Sequence, residues 1–118
     1  KAVAGYNQYH SKEQGFNTGF LLVVEGVRVF HAGDTNKVPE MGALGPVDVA
    51  LYPIGGTYTS DEADAADAVK SLIKPKWVIP MHYGYATGGD PERFKALVGA
   101  AARVEVLEPV LKGLRWGG

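Results

Sequence analysis

Cysteine is absent from the 118 residues, which excludes disulfides, thiolate nucleophiles and every metal site built on sulfur. Any metal would have to be held by histidine and carboxylate alone. Long apolar runs are missing too: nothing approaches the ~18 to 20 residues needed to cross a bilayer, and no basic, apolar and small-residue succession of a secretory leader opens the chain. We therefore expect no membrane association and a cytoplasmic location. Charge of one sign is also lacking, since 12 basic residues face 13 acidic ones for a formal net charge of −1. This removes the basic field on which nucleic-acid binding depends. Histidine is scarce, with only His10, His31 and His82. Ser11, Ser60 and Ser71 lack the Gly-x-Ser-x-Gly setting of an α/β-hydrolase nucleophile. Gly55-Gly56-Thr57 lacks the lysine of a phosphate-binding loop.

What remains is a sequence of alternating hydrophobic periods with no internal repeat and no linker. Thr18 to Glu25 and Val27 to Ala32 are β-branched and apolar runs separated by Gly26, the pattern of a hairpin. In the second run Val27, Val29 and His31 share one face, and Arg28, Phe30 and Ala32 the other. Val47 to Tyr52 and Trp77 to Met81 read as buried strands. Between them a helix is predicted over 60–73, with Thr59 and Glu62 as a capping box, Asp61 in its first turn and Pro75 as its stop. Strand, helix and strand make a βαβ unit, whose strands are parallel. A second helix is predicted from Asp90 as N-cap and Pro91 as first residue, burying Phe94, Leu97, Val98 and Ala101. Val104 to Leu107 and Leu111 to Trp116 close the chain as two further strands. The fold class is α/β, a mixed sheet with helices packed on one face, in a single domain over residues 1–118. The chain starts at Lys1 within strand-like Ala2, Val3 and Ala4, which points to a piece of a longer protein.

Two strand ends carry ligand-type side chains. His31-Ala32-Gly33-Asp34-Thr35 follows one strand, and Pro80-Met81-His82-Tyr83-Gly84 ends another. Ligands of open α/β sheets collect beyond the carboxyl ends of strands, so Asp34 and His82 are the candidate metal ligands. A hard or borderline divalent ion accepts such a pair without sulfur. The plainer alternative is that Asp34 caps a turn and His82 is a hydrogen-bonded interior residue. Asp61, Asp64 and Asp67, spaced by three on one helix side, read as a solvated face rather than a calcium site. Tyr6, Tyr9, Phe16 and Phe20 read as core and rim aromatics.

The segments VRVFHAGDTNKVPEM, DVALYPIGGTYTSDEADAA and IKPKWVIPMHYG, in that order, resemble the C-terminal half of the metallo-β-lactamase superfamily, in the branch of small metal-dependent hydrolases related to ascorbate-6-phosphate lactonase and YtkL-type proteins. The resemblance implies half of a four-layer αββα sandwich, with a two-metal hydrolytic site at the sheet edge between two similar halves. It places Asp34 at the family's bridging aspartate and His82 at its last metal-binding histidine, with His31 and Thr35 orienting the ligands. The family's His-x-His-x-Asp-His signature, part of the N-terminal half, does not occur in this sequence. Where many members carry an upstream histidine the chain has Ala4-Gly5-Tyr6-Asn7; Asn7 fills that slot and His10 lies three residues on, and whether either reaches the metal is left open.

The resemblance implies a hydrolase of an ester, lactone or phosphodiester that uses zinc, or alternatively manganese or iron. The residues that carry out the catalytic step are not assigned. Two protein ligands are fewer than the three usual for catalytic zinc, so the chain alone is expected to be inactive. Its partner would be the N-terminal half of the fold or a second copy of itself, with the Val, Leu and Phe residues of strands 18–32 at the contact. A non-catalytic module that self-associates through the uncovered sheet face is the alternative.

Overall fold

The computed structural model describes residues 2–4, 18–33, 35–56, 59–84 and 88–107. Asn7, His10, Asp34, Thr57, Tyr6, Tyr9, Ser11, Phe16 and the expected strand at 111–116 lie outside them. The described strands are β1 (Ala2–Ala4), β2 (Thr18–Val24), β3 (Val27–His31), β4 (Val49–Pro53), β5 (Trp77–Met81) and β6 (Arg103–Val104). They form one sheet in sequence order. β1, β2 and β3 run antiparallel, and β3 to β6 are parallel. The expected hairpin joins β2 to β3 through Glu25 (φ 50°) and Gly26 (φ 81°). Two successive positive φ values give a turn whose twist matches that of the strands it connects.

Strand alternation divides the sheet into two unlike faces. Leu21 pairs with Phe30, Phe30 with Ala50, Ala50 with Val78 and Val78 with Val104, and all five are buried. Against this row pack Ala65, Ala66 and Ala68 of α1 (Glu62–Ala68), Val69 and Ile73 from the wider turn that continues it, and Phe94 and Val98 of α2 (Pro91–Val98). Small alanines bring α1 close to the sheet, while Phe30, Tyr52 and Phe94 fill the space between the layers. Each such side chain contributes roughly 1.5–3 kcal/mol by leaving water.

On the opposite face Phe20 pairs with His31 and His31 with Leu51, while Leu22 pairs with Val29 and Val29 with Val49. No described element covers this row. Phe20 and Leu22 are each 49% exposed, Val24 60% and Val27 44%. The expected assignment of Val27, Val29 and His31 to one face and Phe30 to the other is therefore the observed one, and Phe20 belongs to the open face rather than to the core.

Several local expectations are corrected. The first helix is capped by Asp61, whose carboxylate accepts from the Asp64 amide at 2.8 Å, and not by the Thr59 and Glu62 box. The Thr59 hydroxyl instead donates to the Ser60 carbonyl. The regular helix stops at Ala68, and the last turn, Val69–Ile73, widens and ends on Lys74 in the left-handed region (φ 51°). Pro75 follows, where a helical residue 74 would clash with the proline ring. At the second helix Asp90 caps as expected, accepting from the amides of Glu92 and Arg93. Phe94 and Val98 are buried there, but Leu97 is 37% exposed and Ala101 is exposed, so only one narrow stripe meets the core. The strand expected at 104–107 is shorter, ending at Val104.

Candidate metal centre at the carboxyl rim of the sheet

Parallel strands place their carboxyl ends together, and three connections gather there. Beyond β3, Ala32 still donates to Leu51 O at 3.0 Å, and the chain then leaves the sheet through Gly33 and Thr35. Beyond β4, the Ile54 amide donates to Met81 O at 3.1 Å and the Gly56 amide to Ser60 O at 3.1 Å. Beyond β5, the Gly84 amide donates to Gly88 O at 3.3 Å. The second and third connections touch: a Cβ on Gly88 would lie 3.2 Å from Gly55 O, and one on Gly89 only 2.8 Å from both Ile54 O and Tyr83 Cβ. Glycine at 89, with φ +104°, is what lets the backbones approach this closely.

His82 follows β5 directly, is exposed, and has φ 57°. Among the described residues three non-glycines have positive φ: Glu25, Lys74 and His82. Glu25 sits in the hairpin turn and Lys74 ends a helix, both places where such backbone is ordinary. His82 has neither excuse, and a strained residue at a strand terminus is a recurrent feature of functional sites. His31 is exposed on the open face, where its Nδ1 accepts from the Gly33 amide at 3.3 Å. Thr35 is fully buried, its hydroxyl donating to Asn36 O at 2.8 Å.

The first and second connections are joined by a polar chain, buried at Tyr52, Ser60 and Thr35 and reaching the surface at Asp64 and Lys37, that sequence reasoning missed. The Ser60 amide donates to Thr35 O at 2.9 Å, and the Ser60 hydroxyl lies 2.7 Å from Asp64 Oδ2. The same Asp64 oxygen accepts from the Lys37 amide at 2.9 Å. Tyr52 OH lies 3.3 Å from Ser60 Oγ and 3.5 Å from Met41 Sδ. Burial pushes the Tyr52 phenol well above its ordinary value of 10.0, so it stays a neutral donor. Farther along α1, Lys37 pairs with Asp67, and the bond from the Lys37 ammonium holds the Asp67 carboxyl below its usual range. Of the three aspartates expected to be a solvated face, Asp61 and Asp67 are exposed, as a cap and an ion-pair partner, while Asp64 is half-buried and bridges Ser60 to Lys37. The signal available in the sequence was Tyr52, a hydroxyl in a buried strand that must find a partner.

Among the described residues no group of three or more His, Asp or Glu side chains could hold a metal ion. His82 is a ligand-type side chain placed at this rim, and Asp34 falls in sequence between two described residues of the same rim, Gly33 and Thr35. A cleft of about 710 Å³ lies at the other end of the sheet, lined by Lys76, Lys95, Arg103 and Glu105 among others, away from His82. No helix among the described residues is long and apolar enough to cross a membrane.

The sequence profile of the family described as "Beta-lactamase superfamily domain" matches residues 1–82. The chain belongs to the metallo-β-lactamase superfamily. It is 46% identical over 97 residues to a UPF0173 metal-dependent hydrolase of Pyrococcus furiosus, covering 77% of this chain and 43% of that protein. It is 42% identical over 112 residues to a second, from Thermococcus kodakarensis, covering 86% and 50%. The solved structure of Igni18, a metallo hydrolase of Ignicoccus hospitalis, superimposes with a TM-score of 0.71 at 43% identity, covering 78% of this chain and 42% of that one. A metallo-β-lactamase superfamily protein of Thermotoga maritima superimposes with a TM-score of 0.70 at 26% identity, over 90% and 62%. The chain thus spans about half the length of the curated relatives it matches.

Proposed function

We propose that this metallo-β-lactamase chain forms the C-terminal half of a metal-dependent hydrolase and supplies Asp34 and His82 as ligands to a divalent cation. The observation that carries this reading is His82: an exposed imidazole with unusual backbone directly beyond a central parallel strand. The relatives' description as metal-dependent hydrolases supports it. The donor set of nitrogen and oxygen suits zinc, and also manganese or iron. Such a cation, when bound, would acidify a water for attack on an ester, lactone or phosphodiester. This chain's own part is narrower. Asp34 brings a carboxylate with two oxygens, able to serve two cations, and His82 brings a neutral imidazole nitrogen. The His31 ring, bonded to the Gly33 amide, and the buried Thr35 flank position 34 and orient it.

The remaining ligands belong to an N-terminal half carrying the family's histidine signature, seated on the open sheet face. In the cell both would share the cytoplasm. The test is hydrolysis of generic phosphodiester and lactone substrates by this chain with and without a separately expressed N-terminal half. Turnover is expected only with both halves and is lost in Asp34→Ala or His82→Ala; turnover by this chain alone would contradict the reading.

A second reading has its own observation. The row Phe20, Leu22, Val24 and Val27 is about half exposed, and contiguous apolar surface of this kind marks an interface. A module that self-associates through this face without catalysis would give a stable dimer that ignores divalent cations.

A further inference from the structure

We infer that Ser60 and Asp64 form a clamp that positions the metal-binding segment after β3, so that Ser60 is a positioning residue for the cation. The inference rests on the reading of Asp34 as a ligand. It starts from the segment itself: Thr35 to Val38 belongs to no helix or strand, and the helical turn that follows ties it at its far end, where Val38 O accepts from the Met41 amide at 3.1 Å. The backbone groups of Thr35 and Val38 must still be paired, because both residues are buried, while Asn36 and Lys37 between them are exposed. Two of the segment's pairings come from the start of α1. Thr35 O takes the Ser60 amide at 2.9 Å, and the Lys37 amide goes to Asp64 Oδ2 at 2.9 Å.

The proton count shows why the serine hydroxyl matters. Ser60 Oγ has one proton and two acceptors in reach, Asp64 Oδ2 at 2.7 Å and Thr35 O at 3.3 Å. The carboxylate is closer and charged, so it takes the proton. Tyr52 OH has one proton and two acceptors, Ser60 Oγ at 3.3 Å and Met41 Sδ at 3.5 Å; the oxygen is the stronger acceptor, so the order runs from tyrosine to serine to aspartate, with Lys37 N–H arriving from the far side. Asp64 Oδ2 is in this way held between a hydroxyl of its own connection and an amide of the segment that follows Asp34. With Ser60 only 1% exposed, water does not replace it cheaply. Loss of the hydroxyl frees Asp64 to turn toward solvent and releases the Lys37 amide with it. Ser60 and Asp64 act on position 34 through the backbone of Thr35 and Lys37; groups bonded directly to metal ligands change affinity by about 10- to 100-fold when removed, and the lower end of that range is expected here.

The experiment compares the full chain with Ser60→Ala and Asp64→Asn, using zinc or manganese ions alone as the probe in calorimetric titration, and amide hydrogen exchange at Lys37 without metal. Val98→Ala, in the core under α2, serves as a destabilised control away from the rim. Expected are a roughly tenfold or greater loss of metal affinity and at least tenfold faster Lys37 exchange in both clamp variants, with Val98→Ala close to wild type in both at temperatures well below unfolding. If Ser60→Ala fails to fold, the same readouts on Asp64→Asn decide the matter, since Asp64 is partly exposed. Wild-type affinity and wild-type Lys37 exchange in the clamp variants would overturn the inference while leaving the metal reading intact. A wild-type chain that binds no cation, with Lys37 still protected through Asp64, would instead sink the metal reading, and the clamp's role toward a cation with it.

Discussion

Gly89 and Gly84 offer a matched pair for testing how tightly the connection after β5 is pressed against the one after β4. Both have strongly positive φ, +104° and +96°, so alanine at either site incurs a similar backbone strain of about 1–3 kcal/mol. They differ in space. A Cβ at 84 would meet nothing within 4 Å, whereas one at 89 would lie 2.8 Å from Ile54 O, 2.8 Å from Tyr83 Cβ and 3.2 Å from Ile54 C. Two of those atoms are backbone of a fully buried residue and cannot swing aside. Overpacking of this kind costs about 1–3 kcal/mol more. At roughly 4 °C per kcal/mol for a domain of this size, Gly89→Ala should melt about 4–12 °C below Gly84→Ala. Urea unfolding of the two variants, followed by tryptophan fluorescence, should show the same ordering in midpoint. Equal stability of the two would refute the claim that close backbone approach, rather than φ alone, requires glycine at 89.

Other consequences follow from the same packing. Asp48 accepts from the Arg28 amide at 2.9 Å and pairs with the Lys76 ammonium at 3.2 Å, and the Arg28 bond followed by the lysine holds its carboxyl below the ordinary 3.8. A lowered folded value means stability that is present above the unfolded value and disappears as pH falls through the folded one. Asp48→Asn should therefore be less stable than wild type at pH 7 and indistinguishable near pH 2 in thermal melts; a constant difference would contradict this. Phe94 is fully buried, so Phe94→Ala should cost about 3–5 kcal/mol in urea unfolding, and a cost under 1 kcal/mol would mean that α2 does not pack as described. Leu22→Lys on the open face should leave the chain's own stability within about 0.5 kcal/mol. It should weaken association with a covering half or a second copy by at least about fivefold in sedimentation, since roughly 1 kcal/mol of burial is lost. Unchanged association would remove that face from the interface.

What could be read in the sequence was set by local signals. The hairpin around Gly26, the order of β4, helix and β5, and the Asp90-Pro91 start each rest on local periodicity or turn residues, and each is present, with Glu25 joining Gly26 in the turn where the sequence pattern puts it in the strand. The segments that carry the resemblance lie at strand ends, which is why the family and the rim were legible together. The misses are tertiary. Asp64 looked solvated because its partners, Lys37 and Ser60, are joined to it by the fold rather than by helical spacing alone. The cap fell to Asp61 because two overlapping cap registers, Thr59 with Glu62 and Asp61 with Asp64, compete over the same turn. Ser60 already commits its hydroxyl to Asp64 and its amide to Thr35 O. Leu97 has helical spacing suited to the core, yet α2 meets the sheet along one stripe only, and the residue stays outside it.

The central claim is that Asp34 and His82 share a cation, and calorimetric titration of the chain with zinc and manganese ions tests it most directly. The account predicts measurable binding that weakens at least about tenfold in Asp34→Ala and in His82→Ala. A double variant that binds as tightly as wild type, or a wild-type chain that binds neither ion, would contradict it.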